Sequence, residues 1–287
     1  MIRTLESVAH AKLNLTLRLV GKRADGMHFL DGLTAFTAFG DRVRIVTGQS
    51  EDSIRVSGRF ASRLLGENIV SVALDRYRSA TPIAGGLSIE IEKNIPIAAG
   101  LGGGSCDAGT VLRMLQSIAP APLDADSLGA LAVTLGADVP VCLESAGARM
   151  RGTGDVLAPA GPLPSVTALL VNPWVELTAG QVFRRFQGPF SAPAVVPDDV
   201  SSEDGLLAFM GRRARNDLIA PATEAEPVIA EVLDFLSEVC GARSTGMSGS
   251  GATCFAIFSG GDAHTVVLAE NQARQRGWWA QRTTLLP

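Results

Sequence analysis

The sequence predicts an α+β protein of two domains, and three observations carry that expectation. Residues 9–19, "AHAKLNLTLRL", alternate apolar and polar side chains without a break. Strand-like and helix-like runs then mix without the regular alternation that a parallel sheet with crossover helices requires. A Pro/Gly-rich stretch, "APAGPLP" at 158–164, interrupts the pattern past the middle of the chain, and such clusters mark boundaries. The expected domains are residues 1–160 and 161–287.

The elements follow in chain order. Ala9, Ala11, Leu13, Leu15, Leu17 and Leu19 share one face of the first run, and His10, Lys12, Asn14, Thr16 and Arg18 share the other. Period-two alternation of this kind is a strand with one buried side. Asp25-Gly26, in "GKRADGMH", is a turn pair. "DRVRIVTG" (41–48) and "LSIEIEK" (87–93) read as further strands. Residues 105–117 read as a helix, with Ser105 as its N-cap and Val111, Leu112 and Leu115 on its apolar side. "LGALAVTLG" is a second helix, ending at Gly136. "VPVCLES" and "GARMRGTGDVL" read as strand, turn and strand. Beyond the boundary come a strand, "TALLVNP", and a helix near "AGQVFRRF". The polar, proline-bearing 191–205 segment, "SAPAVVPDDVSSEDG", reads as a mobile loop. Helices over "NDLIAPATEAEPVIAEVLDFLSEV" and strands around "STGMSGSGATCFAIF" complete the assignment.

Composition narrows the function. The formal net charge is -4 with no Lys/Arg block, and aromatic residues are 5% of the chain. Neither a nucleic-acid surface nor a base-stacking platform is expected. Cys106, Cys142, Cys240 and Cys254 form no CxxC pair, so they read as buried thiols in a reducing compartment. The N-terminus alternates rather than forming an apolar signal core, and no run reaches the roughly 20 apolar residues of a membrane span. The expectation is a cytoplasmic protein with no membrane partner.

The stretch "PIAAGLGGGSCDAG" (96–109) places four glycines between Gly100 and Gly104. The P-loop template fails because no lysine follows them, and the dinucleotide template fails because its last position is Ser105. The physics behind both templates survives. Glycines let backbone N–H groups approach an anion, and a helix start adds unpaired N–H groups and a partial positive charge. Close backbone packing is the other use for such glycines. A second cluster, "GMSGSGAT" (246–253), suggests two backbone cradles closing on one ligand.

Three segments, "AKLNLTLRLVGKRADGMH", "PIAAGLGGGSCDAG" and "GMSGSGATCFAIF", resemble in order the three motifs of the GHMP kinases, a superfamily of small-molecule kinases. "LGADVPV" and "RNDL" point within it to the branch whose substrate is a diphosphocytidyl-methylerythritol. The resemblance implies an N-terminal domain like domain 2 of ribosomal protein S5 and a ferredoxin-like C-terminal domain. It implies transfer of the ATP γ-phosphate, with Mg²⁺, to the 2-hydroxyl of that alcohol, in non-mevalonate isoprenoid precursor synthesis. The implied partner is a small-molecule alcohol bearing a cytidine diphosphate, and the implied state is a monomer or weak homodimer.

The implied site residues follow from the same resemblance. Asp138 is the catalytic base and Lys12 its partner, keeping the carboxylate ionised and favouring the alkoxide. Pro96, Gly100, Leu101, Gly102, Gly103, Gly104, Ser105 and Asp107 form the ATP site. Asn14, Met27, His28, Phe183, Ser248 and Gly249 face the substrate, with His28 bonding cytosine and Phe183 stacking on it. Asn216 and Asp217, in "RNDL", read instead as a helix N-cap. Asp107 either caps backbone N–H groups or sits near Mg²⁺. Met27 stands where the branch usually has tyrosine, and Ala179 where it tends to have threonine. Two other readings remain open: a GHMP kinase for a different alcohol, and a catalytically silent nucleotide-binding protein.

Overall fold

The computed structural model describes residues 2–63, 68–259 and 263–287. In chain order the elements are β1 (Thr4–Lys22), β2 (His28–Gln49), β3 (Ser53–Ser57), α1 (Ile69–Ala80), β4 (Gly86–Glu92), α2 (Gly103–Ile118), α3 (Ala125–Leu135) and α4 (Val139–Glu144). There follow β5 (Ala148–Gly152), β6 (Val156–Pro159), β7 (Thr167–Asn172), α5 (Ala179–Arg185), α6 (Glu203–Met210), α7 (Ile219–Ala225) and α8 (Val228–Glu238). Last come β8 (Ala242–Met247), β9 (Cys254–Phe258), α9 (Ala263–Gln275) and β10 (Trp279–Thr284).

Two compact units form. One comprises Met1–Lys12, Phe39–Ile97 and Gly102–Ser145, the other Leu13–Ala38, Ala98–Leu101 and Ala146–Pro287. The Pro/Gly stretch 158–164 lies inside the second unit, so the units differ from the expected halves. The reason is strand length: β1 has 19 residues and β2 has 22, and each contributes to both units.

In the first unit the C-terminal half of β2 pairs antiparallel with β4, setting Val43 opposite Ile91 and Ile45 opposite Ile89. β3 runs parallel to β4. Val70, Ala73, Leu74 and Tyr77 of α1 are buried, at the three- and four-residue spacing of one helix face. Tyr77 is fully enclosed and donates its hydroxyl hydrogen to Gln116 of α2 at 2.6 Å. Gly109 brings α2 against α4, because a Cβ there would lie 2.6 Å from the carbonyl carbon of Cys142.

In the second unit the sheet order is β10-β7-β9-β8, all antiparallel. Read from β7 with its following helices, through β8, β9 and α9 to β10, this is the ferredoxin-like arrangement. Its core joins Leu169, Val171 and Phe258 of the sheet to Leu218, which precedes α7, and to Ile229, Val232 and Leu236 of α8. The N-terminal half of β2 pairs with β5, and β5 with β6.

Several expectations are corrected. Residues 139–145 are not a strand: Val139–Glu144 is helix α4, with Pro140 in its first turn, where proline is pre-organised for a helix. A short apolar run cannot be told from a buried helix by periodicity. Ser105 is not the N-cap of α2; Gly102 is, in the left-handed region at φ 65°. The 191–205 segment, expected to be a mobile loop, makes specific contacts along its first half. Ser191 N–H donates to Leu19 at 2.8 Å, Ala194 N–H to the Asp31 carboxylate at 3.2 Å, and Val196 O accepts from Arg149 at 3.0 Å. Ala194, Val196 and Val200 are buried along it. α9 and β10 lie beyond the last segment that the sequence assigned.

Candidate active site

Lys12 lies on the polar face of β1, yet its side chain is only 5% exposed. Its ammonium donates to Asp138 Oδ2 at 2.7 Å. Asp138 is the residue before α4 and makes no capping bond with its side chain. Its carboxylate is 36% exposed, so one edge meets solvent while the other holds the lysine. Burial alone would lower the Lys12 pKa, but the Asp138 carboxylate outweighs it and holds the ammonium charged above the ordinary lysine value. A permanent cation against a half-exposed carboxylate is the arrangement a proton acceptor needs.

The glycines of the first loop divide into two uses. Gly100, at φ 76°, is a packing glycine: a Cβ would lie 2.4 Å from the Ser248 carbonyl oxygen and 2.7 Å from that of Gly251. Gly102 supplies the left-handed turn into α2 and, as its N-cap, offers the first N–H groups no side-chain capping bond. Gly104 is open, its nearest neighbour for a Cβ being Ile69 at 3.6 Å. Gly103, Gly104 and Ser105 thus form the first turn of a 16-residue helix whose leading N–H groups lack a side-chain cap, which is a ready anion site. Pro96 and Leu101 are buried.

Asp107 belongs to neither role expected of it. It is buried, with its Oδ2 2.6 Å from Lys93 Nζ, and Lys93 also bonds Asp41. It therefore caps no N–H group, and its other oxygen is enclosed without a partner. Burial raises its pKa to about 8, with Asp41 adding to the rise and Lys93 opposing it. A carboxyl shut in and held by an ammonium is not a Mg²⁺ ligand. Asp41 and Lys93 were missed in the sequence, where each reads as the charged end of an alternating strand.

The second glycine loop is tied to the first within the second unit. The Ser248 hydroxyl donates to Gly100 O at 2.8 Å and accepts from Asn14 N–H at 3.1 Å, and the side chain is fully buried. Ser248 therefore positions the loop rather than meeting a ligand with its hydroxyl. Thr253 N–H adds a bond to Ala99 O at 3.2 Å. Gly249, at φ 58°, lies against Asn14, whose Oδ1 would be 3.4 Å from a Cβ there. Asn14 Nδ2 donates to Thr34 Oγ1 at 3.0 Å.

Asn216 and Asp217 are not a helix cap in the expected sense, since Leu218 precedes α7 and no side chain caps it. Asn216 donates to Met247 O at 2.7 Å and Gly249 O at 2.8 Å, while its Oδ1 accepts from Leu218 N–H. Asp217 accepts from Leu19 N–H and from the Ser191 hydroxyl. The pair fastens the glycine loop and β1.

His28 begins β2 after the Asp25-Gly26 turn, in which Gly26 N–H donates to Arg23 O at 3.0 Å. Its ring lies 5.4 Å from Phe183, tilted by 30°. Phe186 stands edge-on at 5.9 Å, and Phe190 lies at 6.3 Å, tilted by 54°. Both were missed in the sequence, although "FRRFQGPF" spaces three phenylalanines through one short segment. Partial burial, then the Lys22 charge, lowers the His28 pKa. A neutral imidazole offers one N–H donor and one acceptor nitrogen. Met27 is 47% exposed. Ala179 is the first residue of α5, which Thr178 opens with a capping box closed by Gln181.

Among the described residues, no helix is long and apolar enough to cross a membrane. The family of GHMP kinases N terminal domains matches residues 68–145, and that of GHMP kinases C terminal matches 201–273. The chain is 40% identical over 279 residues to the 4-diphosphocytidyl-2-C-methyl-D-erythritol kinase of Paramagnetospirillum magneticum, covering 97% of each chain. It is 40% identical to the protein of that name in Rhizobium meliloti, covering 97% of this chain and 94% of the relative. A crystal structure of 4-(cytidine 5'-diphospho)-2C-methyl-D-erythritol kinase superposes with a TM-score of 0.83 at 34% identity, over 99% of this chain and all of the other. Homoserine kinase from Cytophaga hutchinsonii shares the fold, with a TM-score of 0.69 at 17% identity over 98% of this chain and 94% of that one. The chain belongs to the GHMP kinases, in the family of the 4-diphosphocytidyl-2-C-methyl-D-erythritol kinases.

Proposed function

We propose that this kinase transfers the γ-phosphate of ATP to the 2-hydroxyl of 4-diphosphocytidyl-2-C-methyl-D-erythritol, a step of non-mevalonate isoprenoid synthesis. The observation that carries the chemistry is the Lys12–Asp138 pair at 2.7 Å, in the same unit as the uncapped start of α2. The substrate follows from the full-length relatives. Residues 1–160 and 161–287 are the two family domains in this reading, with the matched segments on either side of residue 160.

Asp138 accepts the proton of the 2-hydroxyl, and the freed oxygen attacks the γ-phosphorus as ADP leaves. Lys12 pairs with the Asp138 carboxylate at 2.7 Å and favours the anionic oxygen during the transfer. The first turn of α2 offers Gly103, Gly104 and Ser105 N–H groups to the phosphates. Mg²⁺ bound with the triphosphate would neutralise phosphate charge beside the first turn of α2. His28 reads the hydrogen-bonding edge of cytosine, and Phe183 offers the stacking face, with Phe186 and Phe190 extending the apolar wall. Asn14 and Gly249, which lie against each other, face the substrate in this reading. The compartment is the cytoplasm.

The test is ADP release over a panel of alcohols, with and without the cytidine diphosphate. Turnover confined to the cytidine-bearing methylerythritol supports the reading. Turnover only with alcohols lacking cytidine overturns the substrate. Tight ATP binding with no turnover overturns the kinase chemistry.

A further inference from the structure

Cys106 lies near the start of α2, the helix that opens on the glycine turn, and Cys142 lies in α4, the helix that Asp138 precedes. Their sulfurs are 3.2 Å apart although the residues are 36 apart in sequence. Both side chains are buried. The frame around them is stiff. Gly109 lets the two helix backbones touch without an intervening side chain. Arg113 of α2 donates to Cys142 O at 2.6 Å and to Leu143 O at 2.7 Å, and is itself held to Thr110 at 2.8 Å. Two helices fastened in this way hold the sulfurs in register.

We propose that Cys106 and Cys142 form a dithiol modification site, closed by a peroxide-class oxidant into a disulfide that slows phosphoryl transfer. One thiol attacks the peroxide oxygen and becomes a sulfenic acid, releasing one water. The second thiol displaces the sulfenic oxygen as another water and forms the S–S bond. The two thiols lose two electrons and two protons in all, and the peroxide is reduced to two waters. An added dithiol reverses the bond by exchange.

The effect on turnover follows from what the sulfurs adjoin. Bond formation draws them together by about 1 Å. Cys142 N–H donates to Asp138 O at 3.1 Å, so a shift of α4 moves the residue carrying the carboxylate. On the other side, a Cβ on Gly102 would lie 3.6 Å from Cys106 Sγ and 3.3 Å from Lys12 Cβ. A displacement of about 1 Å at a reacting group costs about 100-fold in rate. Burial pushes the Cys142 thiol well up, so the thiolate is scarce and closure is slow.

The turnover effect rests on the kinase reading above; the crosslink does not. The full chain is treated with hydrogen peroxide, alkylated under denaturing conditions and mapped by mass spectrometry without reduction. The expected result is a Cys106–Cys142 crosslinked peptide and a 10- to 100-fold loss of ADP release, both reversed by dithiothreitol. Cys142→Ala is expected to keep turnover within a few-fold and to lose the dithiothreitol-reversible inhibition. If that variant fails to fold, Cys106→Ser serves the same purpose. Cys240→Ser, which removes the exposed thiol, is expected to leave the crosslink intact. Recovery of both Cys106 and Cys142 as alkylated thiols after peroxide overturns the site. A crosslink with unchanged turnover overturns its regulatory effect.

Discussion

Asp138→Asn is the sharpest test of the proposed chemistry. The substitution keeps the size of the side chain and removes the proton acceptor. Loss of a positioned general base lowers kcat by about 10²–10⁴, or about 3–5 kcal/mol of barrier. ATP affinity should stay within about threefold, because the first turn of α2 is untouched. Stability should fall as well, since Lys12 is buried and loses the carboxylate 2.7 Å away. Breaking a fully buried pair costs about 3–5 kcal/mol. Asp138 is more than a third exposed, so solvent screening reduces this to about 1–3 kcal/mol. In the parent protein the Lys12 pKa is raised. The pair's contribution is therefore complete below the unfolded lysine value, about 10.4, and lost as pH rises through the folded one. In the variant the carboxylate is gone and burial dominates, so the Lys12 pKa drops below the unfolded value. The folded variant then binds fewer protons than the unfolded chain, so its stability rises with pH between 8 and 10. ADP release and denaturant titrations at pH 8 and 10 measure both effects. Turnover within a few-fold of the parent refutes Asp138 as the base, and a variant whose stability does not rise over this pH range refutes the assignment of Lys12 as a buried cation.

Three further outcomes are expected. Asp107→Asn should raise Tm progressively relative to the parent between pH 5 and 8. A carboxyl whose pKa is lifted to about 8 keeps its proton in the folded state while the unfolded chain loses it, so the parent loses stability over that window. A Tm difference independent of pH counts against this, and a changed Mg²⁺ dependence would restore Asp107 as a metal neighbour. Phe183→Ala should raise KM for the cytidine-bearing substrate by about 5- to 150-fold, the range of a lost base stack, with kcat nearly unchanged; Met27→Tyr should lower it, and unchanged values for both would remove cytosine from this wall. Gly100→Ala should lower Tm strongly, because a Cβ would lie 2.4 Å from Ser248 O at a positive φ. Gly104→Ala should instead leave Tm within about 2 °C and weaken ATP binding, and equal losses in both variants would erase the distinction between packing and phosphate-binding glycines.

Much of the site was legible because its parts are local. The alternation of β1 put Lys12 and Asn14 on one face, and the glycine runs marked both loops. The Asp25-Gly26 turn before His28 formed as its residues require. What failed depended on partners distant in the chain. Ser105 resembled an N-cap, but Gly102 reaches the left-handed region that a side chain resists. Asp107 looked like a helix-start acid until Lys93 and Asp41 closed around it. Phe186 and Phe190 carried no periodic signal, since the segment after α5 has no regular structure.

By itself, then, the sequence determined the strand that carries Lys12, the glycine loops and the order of the motifs, because period-two alternation and backbone freedom are properties of neighbouring residues. Only the tertiary structure decided which groups meet. Lys12 finds Asp138 across 126 residues, Ser248 finds Gly100 across 148, and Cys106 finds Cys142 across 36. The core around each pair selected one contact among many that the chain allows, by burying apolar surface and leaving each polar group only the partners within its reach.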